Sequence, residues 1–270
     1  IQRFRNNNAT GYLPQATFYD FSINNAKISG GSFYDRTINN SNIPFTNVSL
    51  SFYNQSSNNG FLLCSVNFDG QYMYEYVFNG ENWWDYTIIY ILPASNRGSI
   101  SGASSFNGQS INFGTLYGGG HSFNGGAVNS GTITGGVSFG NSSINYCNLG
   151  TNISFTYSTN YGSINGNATF DGSSINYGTI ARTGAFNNSS NEGSGSILES
   201  GSFSSYSYNY GTVNGFASFD SSYNYGGTIN GKATFSNGSY NFGTVNGEAI
   251  FDESSCNYGT VMGLCSGCGC

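Results

Sequence analysis

The chain has 270 residues and an unusual composition: 7% of the residues are charged, 17% are aromatic, 40 are Gly and 3 are Pro. A disordered chain combines high charge with few aromatic residues, so this composition favours a folded protein. The net charge is −6, and the seven basic residues are spread over the whole length. Because no basic stripe is present to neutralise a row of phosphates, we expect no nucleic-acid partner.

A membrane span is not expected either. The longest apolar run, from Thr87 to Leu92, is far shorter than the ~20 residues of a transmembrane helix. Ile1 does not begin a signal peptide, and we interpret the sequence as a mature, soluble segment. Low charge with abundant Asn, Gly, Thr and Tyr is typical of extracellular or cell-surface material, which predicts a secreted protein.

The first 97 residues predict an irregular β region. Phe18, Phe33, Phe52 and Phe68 recur at near-multiples of 16 residues, and ATFYDFSINNAKISGGSFYD looks like two turns of a repeat. The segment 70–95 then breaks this pattern. Residues 1–97 therefore either continue the repeat as divergent coils with insertions, or form a domain that caps the repeat or mediates assembly.

A regular repeat occupies residues 98–263. Phenylalanine recurs every 15 to 17 residues, and mostly every 16, with a mostly aliphatic residue six positions earlier and a small or apolar residue two positions earlier. The phenylalanines are Phe106, Phe123, Phe139, Phe155, Phe170, Phe186, Phe203, Phe219, Phe235 and Phe251. The residues six positions earlier are Ile100, Tyr117, Ile133, Leu149, Ile164, Ile180, Ile197, Val213, Ile229 and Val245.

This spacing predicts an all-β fold. Apolar residues at every second position indicate strands, and Ser, Asp and Asn mark the turns between them. A repeat of 16 residues is too short for a strand, helix and strand. Each repeat is therefore predicted to be one coil of a parallel β-solenoid, or β-helix, with about 4.8 Å between coils. Residues 98–263 then hold about ten coils, followed by a Cys-rich tail at 264–270.

Two residue types have expected structural roles in these coils. Glycine and alanine are expected to make room in a thin interior for the columns of Val, Ile and Phe. Buried asparagines are expected to form an inward ladder at a bend, because an amide side chain both donates and accepts hydrogen bonds. The expected ladder residues are Asn145, Asn160, Asn176, Asn209, Asn224, Asn241 and Asn257.

The alternate residues are expected to form an outward face of Tyr, Thr and Asn columns. An uncharged patch with a long aromatic row is typical of an interaction surface. The aromatic row is Tyr146, Tyr161, Tyr177, Tyr210, Tyr225, Phe242 and Tyr258; the threonine row is Thr179, Thr212, Thr228, Thr244 and Thr260; the asparagine row is Asn165, Asn214, Asn230 and Asn246.

Two functions are consistent with such a face. In the first, the face and the solenoid ends contact other copies of the chain, and the protein is a structural, self-assembling subunit of an extracellular filament, sheath or surface layer. In the second, the face itself binds ice or, as in an adhesin, a glycan, with Trp83 and Trp84 adding to the aromatic surface. Thr and Tyr are also ordinary strand residues on a solvated face, which explains the Thr row better than the Tyr row.

The tandem pattern GTVxGxAxF followed by SSxNxG, carried by NYGTVNGFASFD at 209–220 and NFGTVNGEAIFD at 241–252, resembles the 16-residue repeats of secreted proteins from environmental bacteria and some phages. The resemblance covers about the last two thirds of the chain. It implies a β-solenoid at a cell or virion surface and transfers no functional residues.

No enzyme activity, cofactor or metal is expected. Asp171, Asp220 and Asp252 are predicted in equivalent turns but on separated coils, and His121 has no evident acid partner, so we interpret it as a residue within a rung. Glu75, Glu81 and Asp85 lie among Tyr72, Tyr74 and two tryptophans, which indicates an aromatic cap core more than a carboxylate pair.

The C-terminal tail raises a separate question of cysteine chemistry. Cys265, Cys268 and Cys270 have the close spacing of thiolate metal ligands, for which Cys256 is the only nearby fourth ligand. In an oxidising compartment the same thiols more often form disulfides, within the last coil or between subunits. We therefore favour a disulfide over a zinc site.

Overall fold

The computed structural model describes residues 12–13, 15–19, 22–43, 49–62, 64–77, 85–92 and 94–267. The described residues contain no helix, so none of them forms an apolar helix of membrane-spanning length. The chain divides into two compact units, residues 1–134 and 135–270. Each unit is a parallel β-solenoid in which a coil contributes short strands to three walls, which confirms the predicted fold class.

In unit 1 the strands stack in register from coil to coil. The Phe wall contains Ala16–Phe18, Gly31–Phe33, Ser49–Tyr53, Ser65–Val77, Ser104–Gly108 and His121–Phe123. The Asn wall contains Ile23–Asn24, Ile38–Asn39, Ser57–Asn58, Ser95–Asn96, Ile111–Asn112 and Val128–Asn129. The aliphatic wall contains Phe61–Leu62, Ser99–Ile100, Thr115–Leu116 and Thr132–Ile133, and Tyr12–Leu13 pairs separately with Lys27–Ile28.

Unit 2 has the same three walls. Its Phe wall contains Val137–Gly140, Ile153–Thr156, Ala168–Asp171, Thr183–Asn187, Ser200–Ser204, Ala217–Asp220, Ala233–Ser236, Ala249–Phe251 and Cys265–Ser266. Its Asn wall contains Ile144–Asn145, Thr159–Asn160, Ile175–Asn176, Ser190–Asn191, Tyr208–Asn209, Tyr223–Asn224, Tyr240–Asn241 and Cys256–Asn257. Its aliphatic wall contains Thr179–Ile180, Ser196–Ile197, Thr212–Val213, Thr228–Ile229, Thr244–Val245 and Thr260–Val261.

Phenylalanine fills the interior of both units. The rings stack nearly parallel from coil to coil, with centroids 4.6 to 4.8 Å apart in unit 1 and 4.6 to 4.9 Å apart in unit 2. Every recurring Phe is buried. Phe18, Phe33, Phe52 and Phe68 belong to this core, so solenoid coils also occur upstream of residue 97. The domain boundary at residue 97 stays a prediction.

The repeat predicts that the residues six positions before each recurring Phe face the interior, and this prediction is wrong for Tyr117. Leu116 is buried on the aliphatic wall, whereas Tyr117 beside it is exposed. The coil that leads to Phe123 is one residue longer than the usual 16, and Gly118 and Gly120 form its turn with positive φ. In this longer coil the buried residue lies seven positions before Phe123 rather than six.

The break in the pattern at 70–95 corresponds to an antiparallel hairpin. The strand Ser65–Val77 begins on the Phe wall and continues beyond it, where it pairs with Asp85–Leu92. Phe68 and Phe106 are nevertheless register partners in successive coils. The hairpin is therefore an insertion between two coils, and the stacking continues across it.

The glycines of the repeat have a different role from the one expected. A Cβ on Gly178 would collide with the carbonyl oxygen of Gly162 in the preceding coil, and the same holds for Gly243 over Gly227. These glycines permit close approach of stacked backbones. Gly184 has the expected role: a Cβ there would lie 2.9 Å from the Phe186 ring, so the glycine makes room for the core.

Candidate functional site

A buried asparagine ladder forms one bend of each coil. The Asn176 Nδ2 donates to the carbonyl oxygen of Gly178 and to Oδ1 of Asn191, both at 2.9 Å. Its Oδ1 accepts from Asn160 Nδ2 at 2.8 Å. The predicted ladder in unit 2 is confirmed and also includes Asn191, and unit 1 has its own ladder of Asn24, Asn39, Asn58, Asn96, Asn112 and Asn129.

A second buried polar column accompanies the ladder and was not predicted. Serine two positions before each ladder Asn of unit 2 is buried, from Ser143 to Ser255. Its hydroxyl bonds backbone groups: Ser174 Oγ accepts from the Ser158 amide at 3.2 Å and donates to the Asp171 carbonyl at 2.6 Å. Two columns of buried side chains therefore hold the bend, and the residues next to them in sequence point outward.

The residue after each ladder Asn lies on the outer surface of the bend, and we call this set the corner column. The backbone amide of each corner residue donates to the backbone carbonyl of the ladder Asn in the preceding coil, as Tyr161 does to Asn145 at 2.8 Å. In unit 2 the column is Tyr146, Tyr161, Tyr177, Glu192, Tyr210, Tyr225, Phe242 and Tyr258. In unit 1 it is Asn25, Asn40, Asn59, Arg97, Phe113 and Ser130.

The predicted aromatic row is therefore on the surface, with Glu192 inserted in it. Tyr210 is 37% exposed and Tyr258 is 65% exposed, and Tyr146, Tyr161, Tyr225 and Phe242 lie between these values. The rings of Tyr161 and Tyr177 stack with centroids 5.0 Å apart. On the other side of Glu192, ring contacts continue from Tyr210 to Tyr258 at 5.2 to 5.6 Å.

Sequence reasoning missed a second aromatic column. Tyr208, Tyr223 and Tyr240 precede the ladder asparagines, with ring centroids 5.0 and 5.6 Å apart. This column adjoins the first one, because the Tyr208 and Tyr210 centroids are 5.9 Å apart. The repeated letters YNY and YNF in the sequence were the available signal. We call Tyr208, Tyr210, Tyr223, Tyr225, Tyr240, Phe242 and Tyr258 the aromatic face.

The predicted threonine and asparagine rows lie on the aliphatic wall. Thr179, Thr212, Thr228, Thr244 and Thr260 share one column with Ser196 and are at least partly exposed. Asn214, Asn230 and Asn246 are exposed and linked by side-chain hydrogen bonds of 2.7 and 2.8 Å. Asn165 is separated from them by Ala181 and Leu198. The role of these residues in assembly stays a prediction.

The electrostatics of the aromatic surface favour neutral tyrosines. Desolvation raises the pKa of Tyr177 and of Tyr210 above 10, and the nearby Glu192 carboxylate raises both further. Desolvation and the neighbouring Tyr208 and Tyr240 likewise raise the pKa of Tyr223. These three phenols are therefore uncharged hydrogen-bonding groups at neutral pH.

A surface depression adjoins the aromatic face. Its volume is about 240 Å³, and two tyrosines line it together with serine and asparagine residues. The lining residues are Ser173, Ser174, Ile175, Asn188, Ser189, Ser190, Tyr206 and Tyr208. Such a site offers aromatic rings and hydroxyl groups.

His121 occupies a rung, as expected. It is buried, and its Nδ1 lies 2.8 Å from Ser104 Oγ in the adjacent coil, while Nε2 has no hydrogen-bond partner. Burial lowers the pKa of the imidazole. His121 is therefore placed as a core residue.

The remaining candidates do not form a site among the described residues. Asp171 and Asp220 are separated by two coils that carry Asn187 and Ser204 at the equivalent position. Glu75 and Asp85 pair with Thr87 and Val77 across the hairpin, and Glu81, Trp83 and Trp84 lie outside the described residues. In the part of the chain that the structure describes, no three His, Cys, Asp or Glu residues cluster as metal ligands.

Two of the described cysteines bear on the predicted disulfide. Cys64 and Cys256 are free thiols, so Cys256 makes no disulfide within the chain. Cys268 and Cys270 lie outside the described residues. A disulfide of the Cys265 to Cys270 tail, within or between subunits, stays a prediction.

No protein-family model matches the chain, and comparisons with curated proteins and with solved structures find no match.

Proposed function

We propose that this protein is a structural, self-assembling extracellular subunit of a filament, sheath or surface layer, and that copies associate through the aromatic face. The observation that carries the proposal is the pair of adjoining columns that places seven aromatic side chains on the surface of successive coils, five of them exposed and two partly exposed. Contiguous exposed apolar surface marks interaction sites in soluble proteins. Tyrosine suits this role because its ring buries apolar area while its hydroxyl keeps a hydrogen bond.

The solenoid supports assembly in a second way. The rigid stack places equivalent side chains at one fixed spacing, so that each contact made with a partner recurs in the next coil. The low charge of the chain, 7% of all residues, limits repulsion between copies. The same composition supports an extracellular location.

The test replaces Tyr210, Tyr225 and Phe242 together by Ser. Association, followed by sedimentation velocity and electron microscopy, should weaken by roughly tenfold or more, because three exposed rings no longer bury apolar area. Phe216→Ser is the matched control, since Phe216 is 44% exposed but lies outside the aromatic face. Equal association of the triple variant and the wild type would contradict the proposal, and circular dichroism checks that both variants fold.

A glycan-binding or ice-binding function is the second candidate. The depression between Tyr206 and Tyr208 favours a neutral sugar, because aromatic rings and hydroxyl groups form such sites. The column Thr212, Thr228, Thr244 and Thr260 favours ice. A chain that stays monomeric at high concentration and shapes growing ice crystals, or binds an oligosaccharide array, would support this alternative over assembly.

A further inference from the structure

Two charged residues of opposite sign occupy the corner columns of the two units. Arg97 is exposed in unit 1, and its guanidinium lies 5.1 Å from the centroid of the Phe113 ring. Glu192 of unit 2 is half-buried and accepts a 2.8 Å hydrogen bond from the Ser190 hydroxyl. Among the described residues neither forms an ion pair, whereas Lys232 and Glu248 pair at 3.0 Å elsewhere.

Arg97 has an aromatic neighbour on one side only, whereas Glu192 has one on each side. In unit 1, Phe113 follows Arg97 by one coil. In unit 2, Tyr177 precedes Glu192 by one coil and Tyr210 follows it by one coil. Superposing the charges with the coils antiparallel brings Phe113 opposite Tyr177 and places the Asn column of unit 1 opposite the aromatic face, which begins at Tyr210. A parallel alignment brings Phe113 opposite Tyr210 and turns the Asn column away from that face.

The two columns also share one repeat distance. Ring stacking fixes the coil spacing at 4.6 to 4.8 Å in unit 1 and at 4.6 to 4.9 Å in unit 2. Faces with equal spacing stay in register over several coils. One matched pair of residues across the interface therefore aligns all the remaining coils.

We propose that unit 1 of one copy docks on unit 2 of a second copy, with the coils antiparallel and an Arg97–Glu192 ion pair setting the register. This inference rests on the proposed function and specifies its interface. Asn59, Asn40 and Asn25 of the first copy then face Tyr210, Tyr225 and Phe242 of the second. The amides of this Asn column are already bonded to one another, at 3.0 Å between Asn59 and Asn40, and present a polar surface to the three aromatic rings.

The ion pair supplies specificity as well as attraction. A slip of one coil would place Arg97 opposite Tyr177 or Tyr210 and leave both charges covered without a partner. Covering an unpaired charge is costly, so displaced registers are disfavoured. The aromatic and amide columns alone, being repetitive, would permit several registers.

The first test exchanges the charges. Arg97→Glu and Glu192→Arg, each alone, should weaken self-association by roughly tenfold or more, because each single change puts like charges together. The double variant R97E/E192R should return to within about threefold of the wild type, because the ion pair is restored in reverse. Sedimentation velocity at low salt measures the association, and circular dichroism checks the fold of each variant.

The second test uses cross-linking between two preparations. Chains with Arg97→Cys are mixed with chains with Glu192→Cys under mild oxidation, and a covalent dimer is expected on a non-reducing gel. The matched control mixes R97C with Asn25→Cys chains, since both sites then lie in unit 1. The wild type gives the background from the natural thiols.

The outcomes separate this inference from the proposed function. Wild-type association that depends on the aromatic face but ignores single charge reversals, or that the double exchange fails to restore, would overturn the register alone. Cross-linking with the N25C control as strong as with E192C would overturn it too. A wild type that never associates would overturn both proposals.

Discussion

The buried asparagine is the residue on which each bend of the coil depends. Its amide donates twice and accepts twice: Asn176 bonds Gly178, Asn160 and Asn191 in three successive coils. Aspartate has no donor for this role, and serine is too short to reach both neighbouring coils. The ladder therefore selects asparagine at every copy of this position.

Replacing one ladder asparagine should destabilise the fold strongly. Asn176→Ala leaves the Gly178 carbonyl and the amides of Asn160 and Asn191 with lost partners, at roughly 1–3 kcal/mol for each buried group. We expect the free energy of unfolding to fall by about 3 kcal/mol or more. Urea unfolding followed by circular dichroism measures this change.

The control is a second hydrogen-bonded asparagine column that is exposed. Asn230 donates to Asn214 at 2.7 Å on the surface, so Asn230→Ala should change the free energy of unfolding by only ~0.5 kcal/mol. Similar losses for both variants would show that burial of the ladder does not determine its contribution.

At the residue scale, residues that recur at the same position of every coil could be predicted from the sequence, whereas residues that occur once in a column could not. The ladder and the exposed aromatic row follow from a fixed position in every coil. Glu192 and Arg97 each occur once in their columns, so no periodicity marks them. The Tyr208 column is aromatic in three coils only, and elsewhere its position holds residues such as Ile175 and Ser190.

At the element scale, the distance between stacked coils governs the choice of glycine. A Cβ on Gly243 would collide with the Gly227 carbonyl oxygen and would lie 2.6 Å from Asn224 Nδ2. These are backbone and ladder atoms, which cannot move without shifting a whole coil. The wall therefore tolerates no side chain at this position.

Gly243→Ala should lower the free energy of unfolding by about 1–3 kcal/mol, the usual cost of overpacking. Gly193→Ala is the control, since a Cβ there meets no atom within 4 Å. This control should be neutral or stabilising by up to ~1 kcal/mol, because alanine restricts the unfolded chain. Thermal unfolding followed by circular dichroism compares the two, and an unaffected Gly243→Ala variant would contradict the steric account.

The elements that the sequence could not predict are those without a periodic partner. The hairpin of Ser65–Val77 with Asp85–Leu92 reads in sequence only as a break in the repeat. Its strands pair with each other in an antiparallel register, and this pairing leaves no mark at a spacing of 16 residues. The continuation of the core from Phe68 to Phe106 was hidden for the same reason.

At the scale of the whole molecule, the architecture was predictable because one short-range rule is applied again in every coil. A column of identical residues satisfies the same packing and hydrogen-bonding demands at each step, so a single period fixes strands, core and bends together. Function depends instead on what the outer surface binds. We propose the aromatic face as an assembly surface, and the 16-residue period alone does not identify its partner.

The pH dependence of assembly follows from tyrosines of the aromatic face and of the adjoining corner column. Desolvation raises the pKa of Tyr177, Tyr210 and Tyr223 above the ordinary value of 10. A phenol is neutral when protonated, so a pKa that is higher in the folded state than in the unfolded state stabilises the fold. This stabilisation is complete below the pKa of the unfolded state, and it is lost as the pH rises through the pKa of the folded state. Ionised phenols also place negative charges on neighbouring coils of the surface that we propose for assembly, and like charges repel across an interface. We expect assemblies to dissolve as the solution is titrated above pH ~10.

The variant with Tyr177, Tyr210 and Tyr223 all changed to Phe should keep its assemblies to higher pH, because phenylalanine cannot ionise. Light scattering measures the assemblies, absorbance at alkaline pH reports phenolate formation, and circular dichroism separates dissolution from unfolding. Loss of basic charge at the same pH acts equally on both proteins, so it cancels in the comparison. Dissolution of the wild type and the triple-Phe variant at the same pH would contradict the assignment of the effect to these three tyrosines.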